Sequence, residues 1–258
     1  MHTELVSWSA TQPNTGAAAV ALTGDSLTIK NSKGPAYLLA VWAQHQVDGF
    51  QQIVTPTSHD TTRGWRQVVE ATNIDNLLPS GMAMEMQPQE LMSITVSGSN
   101  TAGDVELGMA LVHYPDLPGV TARAIKWPDL MRRAETLLTI QATITGAATG
   151  YTGAELITAE SDLLRANRDY AVLGCTTSTA CAALTLIGPD TGYVRVAVPG
   201  QASDADVGRD WFASLARAFD MPLIPVINSG NKQSTTIGIV QNENNVSPVV
   251  AWNLALLK

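Results

Sequence analysis

The amino-acid sequence predicts an all-β protein made of two tandem β-sandwich or jelly-roll domains. Three observations lead to this prediction: apolar residues alternate with polar ones, turn-forming residues separate these segments, and the second half of the chain repeats the pattern of the first. The chain has 258 residues, of which 45 % are hydrophobic. That is ample material for two domains of about 100 to 150 residues each. Helical crossovers between the predicted strands are missing, which argues against a parallel α/β sheet.

Period-two alternation is clearest in the segment 138–145, where Leu, Ile and Ala alternate with Thr and Gln. Such a pattern is typical of a strand with one buried and one exposed face. Residues 6–11, 193–198 and 250–256 alternate in a similar way. Turn-forming residues at 97–100, 189–192 and 228–231 separate the strands. Each half therefore contains roughly seven or eight short strands, as a sandwich or jelly roll requires.

Short segments of the first half recur in the same order in the second half, at a nearly constant offset along the chain. Their collinearity favours an internal duplication over chance similarity between two β-rich halves. We predict a first domain at 1–125, a linker at 126–136 and a second domain at 137–258. The matched segments are 4–11 with 136–143, 25–31 with 161–167, 37–39 with 170–172, 53–56 with 186–189, 64–66 with 192–194, 96–98 with 228–230, and 107–109 with 237–239.

One helix, at 203–219, interrupts the second repeat. Ser203 can cap it, with Asp206 in a position typical of a capping box. Apolar residues at 207, 211, 215 and 219 then form a stripe along one face, and Pro222 ends the helix. A second, short helix is expected after Pro128 in the linker.

The charge of the chain limits its partners. The net charge is −8, and both halves are acidic. The longest run of basic residues is Arg132–Arg133, so we expect no direct, tight binding to nucleic acid. Charged residues make up only 15 % of the sequence, and small polar residues replace them. Such a surface costs little to desolvate and suits extensive contact between proteins.

Neither a transmembrane segment nor a signal peptide is expected. No apolar run approaches the length that a membrane-spanning helix needs, and the first residues lack a basic region followed by an apolar stretch. Cys175 and Cys181 are the only cysteines, and both lie in strand-like sequence. Buried free thiols are favoured there over a disulfide bridge.

Few residues resemble a catalytic or metal-binding site. His45, Asp48, His59 and Asp60 could meet on adjacent strands, but their irregular spacing favours exposed loop residues. The carboxylate pairs Glu85/Glu90 and Asp204/Asp206 could serve a glycosidase, yet a strand edge and a helix first turn explain them better. Nucleophile elbows and glycine-rich phosphate loops are absent. We therefore predict no enzyme activity, no cofactor and no metal.

The six tryptophans divide into two groups. Trp8, Trp42, Trp211 and Trp252 lie on apolar faces and are expected in the core. Trp65 and its counterpart Tyr193 each follow a glycine and are candidates for a rim, an interface or a ligand contact. Trp127 lies in the linker and is expected to pack between the domains.

Taken together, two tandem sandwiches, few charges and no catalytic motif resemble the double jelly-roll capsid proteins of tailless icosahedral viruses. The resemblance covers the whole chain at the level of architecture and includes no sequence motif. It implies trimers with six similar lobes, assembled with other virion proteins around DNA in a virion. The alternative is a tandem carbohydrate-binding or adhesion module, such as a phage spike or decoration protein, with a glycan as ligand. A third possibility, a β-sandwich hydrolase, requires two carboxylates or a His–carboxylate pair in one cleft.

Overall fold

The computed structural model describes most of the chain, and its description covers residues 1–11, 20–21, 23–24, 27–28, 30, 34–44, 49–55, 65–69, 78, 81–97, 104–156, 159, 161–200, 208–242 and 245–258. These residues form mainly antiparallel strands, which confirms the predicted all-β sandwich class. The strands of the first half are β1 (His2–Thr11), β2 (Val20–Ala21), β3 (Thr23–Gly24), β4 (Leu27–Thr28), β5 (Ala36–Gln44), β6 (Gly49–Val54), β7 (Trp65–Val69), β8 (Met84–Met86), β9 (Leu91–Ser97) and β10 (Val105–Tyr114).

The rest of the chain contains further strands and short helices. Its strands are β11 (Ala124–Ile125), β12 (Ala134–Thr143), β13 (Gly150–Glu155), β14 (Asp169–Thr177), β15 (Cys181–Ile187), β16 (Val196–Gly200), β17 (Ile224–Asn228), β18 (Thr236–Gln241) and β19 (Val249–Leu257). Its helices are α1 (Trp127–Arg133) and α2 (Trp211–Phe219), with 3₁₀ turns η1 (Ser161–Leu163), η2 (Pro189–Thr191) and η3 (Ser229–Ser234).

The two halves share one strand order. In the first half, β3-β1-β10-β5-β8 form sheet 1A, and β2-β9-β6-β7 form sheet 1B, in which β4 also pairs with β9. In the second half, β11-β17-β14-β19-β12 form sheet 2A, and β13-β18-β15-β16 form sheet 2B. The order β1-β10-β5-β8 thus recurs as β12-β19-β14-β17, and the order of sheet 1B recurs in sheet 2B. Each half is a two-sheet arrangement of the jelly-roll type.

The strand positions agree with the predicted repeat only in the early strands. The offset between matching strands is nearly the same for two pairs. It runs from His2 of β1 to Ala134 of β12, and from the start of β5 to the start of β14. The starts of β10 and β19 are separated by a longer stretch. The matches of 96–98 with 228–230 and of 107–109 with 237–239 are therefore wrong: residue 107 lies in β10, whereas residue 237 lies in β18, the counterpart of β9. The match of 64–66 with 192–194 is also wrong, because Ile53 pairs with Trp65 whereas Leu186 pairs with Val196. The extra residues lie between β16 and β17, where the second half carries α2.

Helix α2 ends at Phe219, as the predicted helix at 203–219 does, but its described part begins at Trp211. Residues 201–207, with Ser203, Asp204 and Asp206, lie outside the described residues. The described helix begins at Trp211 after Asp210, whose side chain makes no capping hydrogen bond, and ends before Asp220 in the left-handed conformation (φ 51°). It packs against β14 and β17. In the predicted linker, α1 starts at Trp127, and β12 already begins at Ala134.

Buried residues form two clusters. The smaller cluster lies between sheets 1A and 1B and includes Ala110, Val112 and Tyr114 of β10. The larger cluster fills the second half and also contains Leu107 and Met109, on the opposite face of β10. Strand β10 is therefore buried on both faces, which explains why its sequence is an almost unbroken hydrophobic run rather than an alternating one. Sheet 1A is a layer shared by two cores.

Candidate functional site at the contact between the two halves

The outer face of sheet 1A packs on the outer face of sheet 2B, and this contact is the most extensive organised surface that involves both halves in the described part of the molecule. Strand β1 lies against β16, and both β5 and β10 lie against β15. Trp42 of β5 is fully buried, and its Nε1–H donates to the carbonyl oxygen of Ala182 at 2.5 Å. Its ring meets that of Trp211 edge to face, with 6.1 Å between centroids. Trp42 of the first half thus contacts both β15 and α2 of the second half.

The edge of β1 also joins the second half through its backbone. Leu5 N–H donates to the carbonyl oxygen of Arg195 at 2.7 Å, just before β16 begins. Farther along, Asn242 N–H donates to Gln44 Oε1 at 3.2 Å. Each of these bonds uses a backbone N–H, and they lie at two separate places. They fix the register of the two halves as well as their distance.

A cleft of about 140 Å³ lies beside the Leu5–Arg195 bond and is lined by both apolar and polar side chains. The Arg195 guanidinium lies over the Tyr151 ring at 4.3 Å, which is a cation–π distance. Tyr151 in turn lies across Gly153 and Gly238, where an added Cβ would come within 2.3 Å and 2.8 Å of the tyrosine side chain. The cleft is lined by Leu5, Ser7, Ser9, Leu107, Gly150, Tyr151, Arg195 and Val240.

An ionic cluster ties the connecting segment to the second half. Arg123 donates to both oxygens of Asp169, and to Asp190 Oδ1 at 3.3 Å. Hydrogen bonds to Asp169 raise the pKa of Arg123, and those from Arg123 hold the pKa of Asp169 below its usual range. Asp190 is buried and also accepts from Asn228 N–H and Asn231 Nδ2, at 2.9 Å each. This arrangement is a structural clamp between strands and 3₁₀ turns.

A second group of titratable residues lies where β1 and β10 meet. Glu4 is buried and accepts from His2 Nε2 at 3.2 Å and Lys30 Nζ at 2.9 Å. Burial alone would raise the pKa of Glu4, but the hydrogen bonds from His2 and Lys30 outweigh it, and the pKa lies below its ordinary value. His2 also stacks on Tyr114, with 5.0 Å between ring centroids. Burial, strengthened by the charge of Glu4, raises the pKa of Tyr114.

His113 lies on the opposite face of β10 from Tyr114. It is buried, and its Nδ1 is 3.0 Å from Thr3 Oγ1. Burial lowers the pKa of His113 to about 4, with smaller contributions from the charges of His2 and the N-terminus. The imidazole is therefore neutral at neutral pH. A buried, neutral imidazole whose one hydrogen-bond partner is a hydroxyl is typical of a packed side chain and not of a catalytic one.

The residues predicted as contact sites lie in three different environments. Trp65 is the first residue of β7 and is 47 % exposed. Tyr193 lies before β16, is 67 % exposed, and adopts a left-handed backbone with φ 58°. The structure does not bring these two together with Trp127, which is half-buried at the start of α1. There the Arg217 guanidinium of α2 lies 5.6 Å from the Trp127 ring centroid.

The candidate chemical groups do not assemble into a site in the part of the chain that the structure describes. His45, Asp48, His59 and Asp60 lie outside the described residues, and the described ones include no group of three metal-ligating side chains. Glu85 is exposed, whereas Glu90 is buried and accepts from Gln87 N–H at 2.8 Å across a turn. Cys175 and Cys181 are free and buried, as predicted. Burial raises the pKa of both thiols, that of Cys181 to about 12.

Sequence reasoning missed most of the contact between the halves. It placed Trp42 in a core but assigned no role to Leu5, Tyr151 or Arg195. One signal was present: β5 and β10 are hydrophobic along most of their length and do not alternate, which indicates strands covered on both faces. The glycines under Tyr151 gave no such signal, because their role depends on a ring from a neighbouring strand position.

Comparisons with known proteins give no family. No protein-family model matches the chain, and no curated protein matches it. Among solved structures, the exported protein XepA of PBSX has 10 % identity over 98 % of this chain and 86 % of its own, with a TM-score of 0.27. The major capsid protein P2 of bacteriophage PM2 has 8 % identity over 98 % of both chains, with a TM-score of 0.23. A peptide-N(4)-(N-acetyl-β-D-glucosaminyl)asparagine amidase has 11 % identity over 98 % of this chain and 96 % of its own, also with a TM-score of 0.23.

Among the described residues, no helix is both long and apolar enough to cross a membrane.

Proposed function

We propose that this chain is a structural subunit that assembles with copies of itself into a coat, as a viral capsid protein of the double jelly-roll type. One observation carries the proposal: the two halves have the same strand order in both of their sheets. We attribute this to duplication of one domain, with the first at 1–125 and the second at 137–258. A chain with two similar lobes can form a trimer with six lobes, which packs in a closed shell.

Features of the surface agree with this role. The ionic cluster of Arg123, Asp169 and Asp190 joins segments of the chain itself. The low charge content of the chain lowers the cost of desolvating large contacts. In a virion, the partners would be copies of this chain and other virion proteins, with the genome held elsewhere because the chain is acidic.

Light scattering after size-exclusion chromatography, followed by negative-stain electron microscopy, tests the proposal. We expect a mass three times that of the 27.3 kDa chain, or larger shells, at micromolar concentration. A species that stays monomeric at all accessible concentrations would contradict it.

A tandem glycan-binding module remains the second candidate, because Trp65 and Tyr193 are both exposed near the start of the matching strands β7 and β16. Exposed aromatic rings can stack on sugars. If this is the function, a glycan array should give specific binding that a Trp65→Ala/Tyr193→Ala double variant loses. Binding that survives this double variant would show that Trp65 and Tyr193 do not hold the glycan.

A further inference from the structure

We propose that the outer edge of β12 pairs with β12 of a second copy, antiparallel and around a two-fold axis, so that sheet 2A continues from one chain into the next. This inference rests on the proposed self-assembly and names one of the contacts that would build the coat. A two-fold contact closes after two copies, so it would link neighbouring trimers of a shell and would not form the trimer itself.

Strand β12 is an edge strand: it is the last strand of sheet 2A and pairs with β19 on one side. With ten residues, it is longer than any other strand at the edge of a sheet in the described part of the molecule. The next longest are β13, with six residues, and β7 and β16, with five each. A long edge strand presents a row of backbone groups to which another strand can be added.

The equivalent edge in the first half is already used. Strand β1 takes the place of β12 in sheet 1A, but it has partners on its outer side. Trp8 and Ser9 pair with β3, and Leu5 N–H donates to the carbonyl oxygen of Arg195. Strand β12 has no such backbone partners among the residues that the structure describes. One edge is therefore occupied within the chain, and its counterpart is open to another molecule.

The backbone groups at the open edge follow from the register of β12 with β19. Ile144 N–H donates to the carbonyl oxygen of Pro248, towards β19. Because the direction of backbone groups alternates along a strand, those of Leu138, Ile140 and Ala142 also point towards β19. The N–H and C=O groups of the alternate residues therefore point away from sheet 2A. These residues are Leu137, Thr139, Gln141 and Thr143.

The sequence of this edge lacks the features that keep other strands away. Natural edge strands carry charged residues, proline or a bulge for this purpose. From 136 to 143, β12 has no charged residue and no proline, and its bulge lies before Thr136. The other edge strands of at least five residues do have such features: Arg66 in β7, Glu155 in β13 and Pro199 in β16. Strand β12 is therefore the edge best suited to pairing.

A second copy fits this edge because the uncharged stretch is complementary to itself. In an antiparallel pair centred on Ile140, the outward backbone groups of Leu137 meet those of Thr143 in the second copy. In the same way, those of Thr139 meet those of Gln141. This register pairs every outward group of the stretch and forms about eight hydrogen bonds across the junction.

The side chains agree with this register. Leu137 is 70 % exposed, and Thr143 of the second copy would cover part of it. Leu138 is partly buried against the larger core, and it would meet Ala142 of the second copy on the same side of the sheet. The apolar cores of the two second halves would therefore join across the junction.

Charge favours the antiparallel arrangement. Glu135, near the start of β12, is paired with Arg165 and Arg168. In the proposed register, the Glu135 residues of the two copies lie at opposite ends of the junction, about 34 Å apart. A parallel pair would place the two carboxylates side by side, and like charges that face each other across strands are destabilising.

The first experiment blocks the edge and leaves the pairing of β12 with β19 intact. Gln141 is exposed and its N–H points outwards, so Gln141→Pro removes an outward donor, and Gln141→Lys puts a charge at the edge. In sedimentation velocity, the wild-type chain should form species larger than a trimer. Both variants should need at least about tenfold more protein to reach them. Gln141→Thr, which keeps a neutral residue suited to strands, is the matched control and should assemble as the wild type does.

The second experiment tests the register by disulfide formation. Thr139→Cys and Gln141→Cys are made as separate full-chain variants and mixed in equal amounts under mild oxidation. Residues of a hydrogen-bonded pair have Cα atoms about 5.5 Å apart, which suits a disulfide. We expect mainly the mixed dimer, identified by its intact mass, because each position lies opposite the other one and not opposite itself. The native thiols of Cys175 and Cys181 are buried and should stay free.

Loss of the larger species in both edge variants but not in the control, together with an excess of the mixed disulfide, supports the pairing. Larger species that form in a folded edge variant at the wild-type concentration overturn it, as does equal loss in the control or a mixture without that excess. Circular dichroism shows which variants are folded, and Gln141→Lys decides alone if the proline variant is not.

The outcome for the wild-type chain separates this inference from the coat proposal. A wild-type chain whose largest species is a trimer overturns the edge pairing and leaves the coat proposal standing. A wild-type chain that is monomeric at all accessible concentrations contradicts both.

Discussion

Sheets 1B and 2B have the same strand order, but the residues on their outer faces meet different surroundings. In sheet 2B, Ala197 and Pro199 are buried where β1 of the first half lies against β16. Ile53 pairs with Trp65 as Leu186 pairs with Val196, so Arg66 and Val68 of sheet 1B match Ala197 and Pro199. Both Arg66 and Val68 are exposed. In the described part of the chain, small residues lie where another sheet approaches, and larger ones lie on the strand of sheet 1B that no described sheet covers. The same fold can therefore be a covered layer or an open face, according to its side chains.

Sheets 1A and 2A also differ in what covers their outer faces. Sheet 1A presents Leu107, Met109 and Leu111 to the second half, and all three are buried. At the matching places, sheet 2A has Ala251, Asn253 and Ala255. Here Asn253 Nδ2 donates to the Arg209 carbonyl at 3.2 Å, in the segment that leads into α2. The first half covers its A-type sheet with another domain, whereas the second covers part of it with its own helical segment.

The largest expected effect comes from exchanging a residue between the two B-type sheets. Ala197→Arg puts a charge without a partner into a fully buried position. Burial of an unpaired charge should cost more than about 4 kcal/mol, a large share of the total stability of an ordinary domain. Urea unfolding followed by circular dichroism would measure it.

The reverse exchange, Arg66→Ala, is the matched control. It removes one exposed cation–π contact and should lower the free energy of unfolding by less than about 1 kcal/mol. Equal costs for the two variants would show that sheet 2B is not covered in solution, and the contrast between the halves would be lost.

The next largest effect on stability is expected at Trp42, in the contact between the halves. Trp42→Ala removes a fully buried ring and leaves the Ala182 carbonyl without its donor, so it should lower the free energy of unfolding by about 3 to 5 kcal/mol. Trp65→Ala, at an exposed tryptophan, should cost less than about 1 kcal/mol. If the Trp42 variant instead unfolded in two separate steps, the halves would be shown to fold independently. A cost no larger than that of Trp65→Ala would contradict the contact.

A smaller effect is expected from pH in the first half. The pKa of His113 is about 4 in the folded chain and 6.5 in a model peptide. Because the folded-state pKa is lowered, the unfolded chain binds the extra proton first, and stability falls as the pH drops from about 6.5 to about 4. The full difference amounts to about 3 kcal/mol.

Urea unfolding at several pH values checks this expectation. The variant His113→Gln should lose most of the slope between pH 6.5 and about 4. The carboxylates Glu4 and Asp169, whose pKa values are lowered from 4.5 and 3.8, should still reduce stability below that range. A variant with the wild-type slope would assign the pH dependence to other groups.

Sequence reasoning was accurate where local pattern decides structure. The segment 138–145 alternates, and β12 does have Ile140 and Ala142 buried with Thr139 and Gln141 exposed. It failed where a distant part of the chain covers a second face, as in β10. It also failed in the last two matches of the repeat, because short similarities cannot locate an insertion as long as the segment with α2. The contact residues Leu5 and Arg195 meet only through pairing of strand edges far apart in the sequence.

By itself, then, the sequence determined the β class, the approximate spacing of the early strands and the buried thiols, because alternation and turn residues act over a few neighbouring positions. Only the tertiary structure decided which sheet faces are covered and where Trp42 is buried. It also decided that Leu137, the fourth residue of β12, stays exposed while Leu5, the fourth residue of β1, is partly buried. Those outcomes depend on contacts between residues far apart in the chain, such as Trp42 with Ala182. Periodicity shows that a face is apolar, and the fold determines what lies against it.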